Sequence, residues 1–123
     1  MTQPTSQTKS ILCVDDDTDT CELLQFVPDE YDFVSAHSIE KALELIQRRQ
    51  FDLYIFDNWM LDGSGIELCQ KVRRAGIETP IIFVSGAAQT KDVEEALASG
   101  ANEYLIKPCD PDLLKKVVKE LII

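Results

Sequence analysis

Three stretches of the chain are apolar at every position: Ile11-Leu12-Cys13-Val14, Leu53-Tyr54-Ile55-Phe56 and Ile81-Ile82-Phe83-Val84. A strand with one face in water alternates polar and apolar residues, whereas an unbroken run suits a strand buried on both faces, as in a parallel sheet covered by helices. Asp32 to Ala36 and Glu103 to Ile106 are shorter strand candidates. Between these stretches the apolar period becomes helical. Asp19 with Glu22 three residues on resembles a capping box that opens a first helix, which Pro28 must end. Ser38 caps a second helix whose stripe is Ile39, Ala42, Leu43 and Ile46. Ile66, Cys69 and Val72 mark a third, ending near Gly76. Val93, Ala96 and Leu97 mark a fourth, stopped by Gly100. Asp110 followed by Pro111 opens a fifth, with Leu114, Val117, Val118 and Leu121 on its apolar face.

The pattern is (βα)5, an α/β doubly wound arrangement with a parallel sheet, right-handed crossovers and helices on both faces. Residues 1–8 read as a flexible tail and residues 9–123 as one domain, since 123 residues suffice for one substantial core but are short for two. In such sheets the functional crevice lies at the carboxyl ends of the strands, near a topological switch point.

Composition narrows the choices of partner. A net charge of −10 argues against direct binding of nucleic acid, which relies on basic surface. The basic spots Arg48-Arg49 and Lys71 to Arg74 lie within helical patterns and read as solvated faces. No apolar run approaches the roughly 20 residues that span a bilayer, so no transmembrane helix is expected. The polar start MTQPTSQTKS does not read as a secretory signal. Cys13, Cys21, Cys69 and Cys109 lack C-x-x-C spacing and read as small core residues, which points to a reducing, cytoplasmic setting.

Candidate chemistry begins where the first strand ends. The segment ILCVDDDTDTCE places Asp15, Asp16, Asp17, Asp19 and Glu22 directly after four apolar residues. A calcium loop starting at Asp15 would need glycine at its sixth position and glutamate at its twelfth, where Thr20 and Phe26 stand. Phosphatases of the haloacid-dehalogenase type carry D-x-D-x-T/V after their first strand, and here the fifth position is Asp19 or Cys21, depending on the start. Neither pattern fits. The remaining answer is half of a magnesium site completed elsewhere. The third strand ends at Asp57, the fourth at Ser85, and the fifth runs into Lys107-Pro108. Three carboxylates, a hydroxyl and an ammonium thus collect at one end of the sheet. Clustered carboxylates repel one another, and Mg²⁺, which takes carboxylates, waters and phosphate oxygens, relieves that repulsion and neutralises an incoming phosphoryl group. Lys107 and the Ser85 hydroxyl suit the remaining phosphoryl oxygens, and a carboxylate such as Asp57 can be the nucleophile. Asp17 and Asp19 read as loop and cap residues.

With the acidic pair Asp15-Asp16, the segment FDNWMLDGSGIEL, the strand IIFVSG and the segment EYLIKP in this order, residues 9–123 resemble the receiver domain of two-component response regulators. The resemblance implies a flavodoxin-like sheet of order 2-1-3-4-5. It implies that Asp57 accepts a phosphoryl group from a histidine kinase or histidine phosphotransfer protein. Asp16 and Asp57 would bind Mg²⁺ directly, with the main-chain carbonyl of Trp59 as a third ligand and Asp15 acting through water. Ser85 and Lys107 would contact the phosphoryl group. Tyr104 matches the family's aromatic switch, whose ring moves inward when the Ser85 hydroxyl is drawn to the phosphate. A downstream effector protein or domain, or a second copy, would then read the face of the fourth helix, fifth strand and fifth helix. His37, just before Ser38, has no expected catalytic role.

Three departures from the family pattern stand out. Leu61 replaces the proline common four residues after the acceptor, so the loop carrying the Trp59 carbonyl loses a fixed φ. Gly86 replaces the usual alanine after the hydroxyl residue, which opens the phosphoryl group to water and shortens its lifetime. The first helix is short. The leading expectation is therefore a phosphoacceptor switch with no catalytic turnover of external substrates. The alternatives are an interaction module that keeps the fold without phosphorylation, and a small magnesium-dependent phosphatase, for which a general acid is wanting. The setting is a single-domain regulator, a relay, or a receiver from a longer protein, and the apolar end Ile122-Ile123 favours the last.

Overall fold

The computed structural model describes residues 8–16 and 31–122. The expected first helix, with Asp17, Asp19, Cys21, Glu22 and Pro28, lies outside the described residues, as does the expected tail up to Gln7. The described chain runs β1 (Lys9–Val14), β2 (Tyr31–Ala36), α1 (Ile39–Arg48), β3 (Leu53–Phe56), β4 (Trp59–Met60), β5 (Gly63–Ser64), α2 (Gly65–Arg74), β6 (Ile81–Ser85), α3 (Thr90–Ala98), β7 (Glu103–Ile106) and α4 (Pro111–Leu121).

The caps of α1 and α4 are those the sequence proposes. Ser38 accepts a hydrogen bond from Lys41 N at 3.1 Å, and Asp110 accepts from Asp112 N at 3.0 Å with Pro111 in the first turn. Ser64, not anticipated as a cap, accepts from Glu67 N at 3.1 Å and opens α2. Helix α3 ends at Gly100, whose φ of +117° suits glycine, and a Cβ there would stand 2.7 Å from Arg73 Cγ.

Five strands form one parallel sheet of order β2-β1-β3-β6-β7, the flavodoxin-like order in which the chain starts at the centre and winds outward both ways. Alternate strand residues feed two cores. Leu12, Val14, Tyr54, Phe56, Ile81 and Phe83 pack with residues of α1, α2 and α3. Ile11, Cys13, Leu53, Ile55, Ile82 and Val84 pack with Leu114, Val117 and Val118 of α4. This is why the strands read as unbroken apolar runs. Cys13, Cys69 and Cys109 are buried among these residues as small hydrophobes. A ladder of rings from Phe51 through Tyr54, Phe56 and Phe83 reaches Tyr104, with centroid spacings of 6.0, 5.5, 6.1 and 5.6 Å.

Two sequence expectations need correction. Leu97, assigned to the apolar stripe of α3, is exposed, while Ala96 is the buried residue of that helix. Helix α3 buries only the small side chain of Ala96 and half-buries Val93, and the larger Leu97 falls outside that contact. Arg73, read as part of a solvated face, is instead a clamp at the amino-terminal edge of the sheet. Its guanidinium donates to the carbonyls of Ile77 (2.9 Å), Thr79 (2.8 Å) and Gly100 (3.2 and 2.9 Å). Three carbonyls from two separate connections are thereby held by one planar fork. Among the described residues no helix is long and apolar enough to cross a membrane.

Candidate functional site

The register of the sheet assembles the site. Val14 pairs with both Ala36 and Phe56, Phe56 pairs with Phe83, and Ser85 pairs with Ile106. Three strands therefore end nearly level, and the residues that follow or close them, Asp15, Asp57 and Ser85, meet at one carboxyl edge. Lys107 arrives one residue beyond β7 and donates its backbone N–H to the Ser85 carbonyl at 2.9 Å. The Asp57 N–H donates to Val14 O at 2.9 Å, which ties the loop after β3 to the first strand.

The side chains form a tight constellation. Carboxylate oxygens of Asp15, Asp16 and Asp57 lie within 4.8 Å of one another. Asp15 is only 1% exposed, Asp57 is buried, and Asp16 is the most open of the three. Lys107 Nζ lies 2.8 Å from Asp15 Oδ2 and 3.8 Å from Asp57 Oδ2. Burial, and next the charge of Asp15, push the Asp57 carboxyl above the ordinary carboxylate range. A hydrogen bond from Ser85, the Lys107 charge and a backbone N–H at Asn58 pull the other way. An all-oxygen donor set with surplus negative charge is what a hard divalent cation fits. The sequence-predicted residues Asp15, Asp16, Asp57, Ser85 and Lys107 thus come together.

Gly65 lets this edge close. Its N–H donates to Asn58 O at 2.9 Å, and a Cβ there would overlap the Asp57 carbonyl and stand 3.0 Å from Phe83 Cε2. The helix start must therefore touch the backbone of Asp57 itself, which only glycine permits. Asn58 is buried with its Nδ2 unpaired among the described residues, a cost that folds tend to carry near functional sites.

Tyr104 is half-buried, stacks on Phe83, and donates its hydroxyl to Ala87 O at 2.6 Å. Ser85 Oγ accepts from Ala87 N at 3.1 Å. Both residues thus hold Ala87 from opposite sides, and the site hydroxyl is one residue removed from the aromatic ring. Trp59 sits in the short β4–β5 hairpin with its side chain 63% exposed, and Leu61 in the turn is 95% exposed.

Two participants were missed by sequence reasoning. His37, given no catalytic role from the sequence, has its Nδ1 2.9 Å from the Asp15 carbonyl, because parallel pairing of β2 with β1 carries it there. Asp62 accepts from Ile39 N at 3.0 Å and Glu40 N at 3.2 Å, capping α1 from across the hairpin. No local motif marks either contact, since each joins segments about 20 residues apart.

The chain matches the response regulator receiver domain family over residues 11–119. It is 40% identical over 114 residues to an uncharacterised 14.6 kDa protein of Leptolyngbya boryana, covering 89% of this chain and 87% of that one. It is 34% identical over 109 residues to the response regulator protein PilR of Pseudomonas aeruginosa, covering 87% of this chain but only 24% of PilR. The receiver domain of the Francisella response regulator 1452 superposes with a TM-score of 0.86 at 30% identity, covering 93% of this chain and 96% of that one. The protein belongs to the response regulator receiver domains, which are signalling domains. It spans about a quarter of PilR, and about nine-tenths of the Leptolyngbya protein.

Proposed function

We propose that the domain, taken as residues 9–123 behind a tail of eight residues, is a Mg²⁺-dependent phosphoacceptor switch working in the cytoplasm. The observation that carries the reading is the pairing of three converging carboxylates with Lys107 at the carboxyl edge of the sheet. Asp57 is the nucleophile. Its carboxylate oxygen forms a bond to phosphorus as the P–N bond to a phosphohistidine of a kinase or phosphotransfer protein breaks, and the imidazole leaves with the bonding pair. Bound Mg²⁺ supplies charge neutralisation and orientation of the phosphoryl oxygens. Asp16, Asp57 and the Trp59 carbonyl would hold the ion directly, with Asp15 acting through water. Lys107 and Ser85 hold the transferred group.

Phosphorylation adds charge beside Ser85, and a hydroxyl turned toward the phosphoryl group releases the Ala87 N–H. Tyr104, which holds the same residue through its carbonyl, carries the change outward. The receiving surface is that of α3, β7 and α4. Each of these elements exposes one large apolar residue, Leu97, Ile106 and Leu113 respectively, an arrangement suited to an effector or to a second copy of the chain.

Intact mass after incubation with Mg²⁺ and acetyl phosphate, beside an Asp57→Asn control, tests the reading. A single phosphoryl adduct that needs Mg²⁺ and vanishes in the control supports it. A folded protein that takes no adduct refutes it.

A further inference from the structure

We propose that Asp62 is a positioning residue for the metal-binding loop, holding through hydrogen bonds to α1 the turn that carries the Trp59 carbonyl. The inference rests on the Mg²⁺ site proposed above and adds the residue that gives one of its loops its shape.

Apart from the Gly65–Asn58 bond at its base and the buried side chain of Met60, little else holds that loop. Between Asp57 and α2 the chain makes a hairpin of two two-residue strands, paired Trp59 with Ser64 and Met60 with Gly63. Two-stranded ribbons are marginal in water even when longer. The turn residue Leu61 buries almost nothing, and it supplies no ring to fix its φ. Met60 is the buried side chain of β4.

Asp62 supplies what is lacking. Its Oδ1 accepts from Ile39 N and its Oδ2 from Glu40 N. These are two of the first-turn N–H groups that a helix cannot satisfy internally, and the positive end of the helix attracts the carboxylate. The work is divided without overlap, because Ser38 Oγ takes the N–H of Lys41. The bond to Ile39 N–H, and then that to Glu40, holds the Asp62 carboxyl below its ordinary range against the opposing effect of burial, so both bonds are charge-assisted. Helix α1 is itself anchored by Ile39 and Ala42 in the core. A Cβ on Gly63 would also stand 3.4 Å from Ile39 Cγ1, so the hairpin lies directly on the start of the helix.

The segment from His37 to Glu40 touches the other acidic loop as well. The His37 ring contacts the carbonyl of Asp15, while Ile39 and Glu40 receive Asp62. Four consecutive residues thereby bridge the loop bearing Asp15 and Asp16 to the loop bearing Asp57 and Trp59. Ligand spacing for a small octahedral ion depends on that distance.

The test is a Mg²⁺ titration of wild type, Asp62→Ala, Asp62→Asn, Ser38→Ala and the double variant Asp62→Ala/Leu61→Pro. Trp59 fluorescence reads the midpoint. Free Mn²⁺, followed by electron paramagnetic resonance, gives an affinity independent of the tryptophan. Asp62→Ala should weaken binding about tenfold, the size expected when support of a metal ligand is removed. Ser38→Ala uncaps the same helix without touching the hairpin and should stay within about twofold of wild type. Leu61→Pro, by restoring a fixed φ, should recover most of the loss. Should Asp62→Ala fail to fold, Asp62→Asn, which keeps one acceptor oxygen, is read in its place and should show a smaller weakening. Unchanged affinity in the Asp62 variants, or an equal loss in Ser38→Ala, overturns the inference while leaving the metal site intact. A wild-type protein that binds neither ion overturns the site reading and the inference with it.

Discussion

Removing the Lys107 charge should destabilise the metal-free protein far more than the Mg²⁺-loaded one. Lys107→Met keeps most of the aliphatic stem and deletes the ammonium. In a medium of effective dielectric constant near 20, an ammonium 2.8 Å from Asp15 and 3.8 Å from Asp57 is attracted by about 6 and about 4 kcal/mol. Most of this is offset by the desolvation of the three charges, and Lys107 is still 23% exposed. The net loss belongs at the lower end of the range for breaking a buried pair, about 3 kcal/mol. Urea unfolding monitored by far-UV circular dichroism, in EDTA and in saturating MgCl₂, measures it. With the slope of the transition unchanged, the midpoint should fall in EDTA and recover in Mg²⁺ to within about 1 kcal/mol of wild type. Mg²⁺ should also bind the variant more tightly, because the lysine and the metal compete to neutralise the same carboxylates. An equal loss under both conditions would show that Lys107 stabilises the fold by packing and not by its charge, and would refute the reasoning.

Asp57→Asn should raise the melting temperature at pH 7.5 without metal. An acid whose pKa is raised on folding binds its proton more tightly in the native state, so its ionisation costs no stability below the unfolded pKa, and the cost is complete once pH exceeds the folded one. The gain over wild type in a pH series of thermal scans should therefore fade as the pH drops into the ordinary carboxylate range, and persistence of the gain there would contradict it. Arg73→Lys should cost about 2 kcal/mol in chemical denaturation, because one ammonium cannot reach the three carbonyls of Ile77, Thr79 and Gly100 that the guanidinium holds together. A neutral result would mean that water replaces the fork. Gly65→Ala should cost about 3 kcal/mol, since its Cβ overlaps the Asp57 carbonyl, and should weaken Mg²⁺ binding in parallel. Wild-type affinity in that variant would show that the loop after β3 can shift without disturbing the proposed metal site.

Much of this protein is legible in one dimension because its signals are local. The run Leu53 to Phe56 is a strand with the bounds that its apolar pattern marks, and Ser38, Gly100 and the Asp110-Pro111 pair start or stop helices through bonds within a few residues of themselves. The positions of Asp15, Asp57, Ser85 and Lys107 follow as directly, since each stands at or just beyond the end of an apolar run, and a parallel sheet brings those ends together. What the pattern does not contain is anything that depends on which segments become neighbours. Leu97 fits the helical period and still faces outward, because the narrow contact between α3 and the sheet, not the period, decides how wide the buried stripe is. Arg73 sits in a basic helix segment and becomes a clamp only when the turns at Ile77 and Gly100 fold against it. Leu61 buries almost nothing in a hairpin of two residues a side, and the carboxylate of Asp62 supplies that turn with a distant restraint at α1. Hydrophobic period and capping chemistry act over one or two turns of chain, so the residues carry that information themselves. Long-range hydrogen bonds have no such period, and only the packed sheet and its helices determine which donor meets which acceptor.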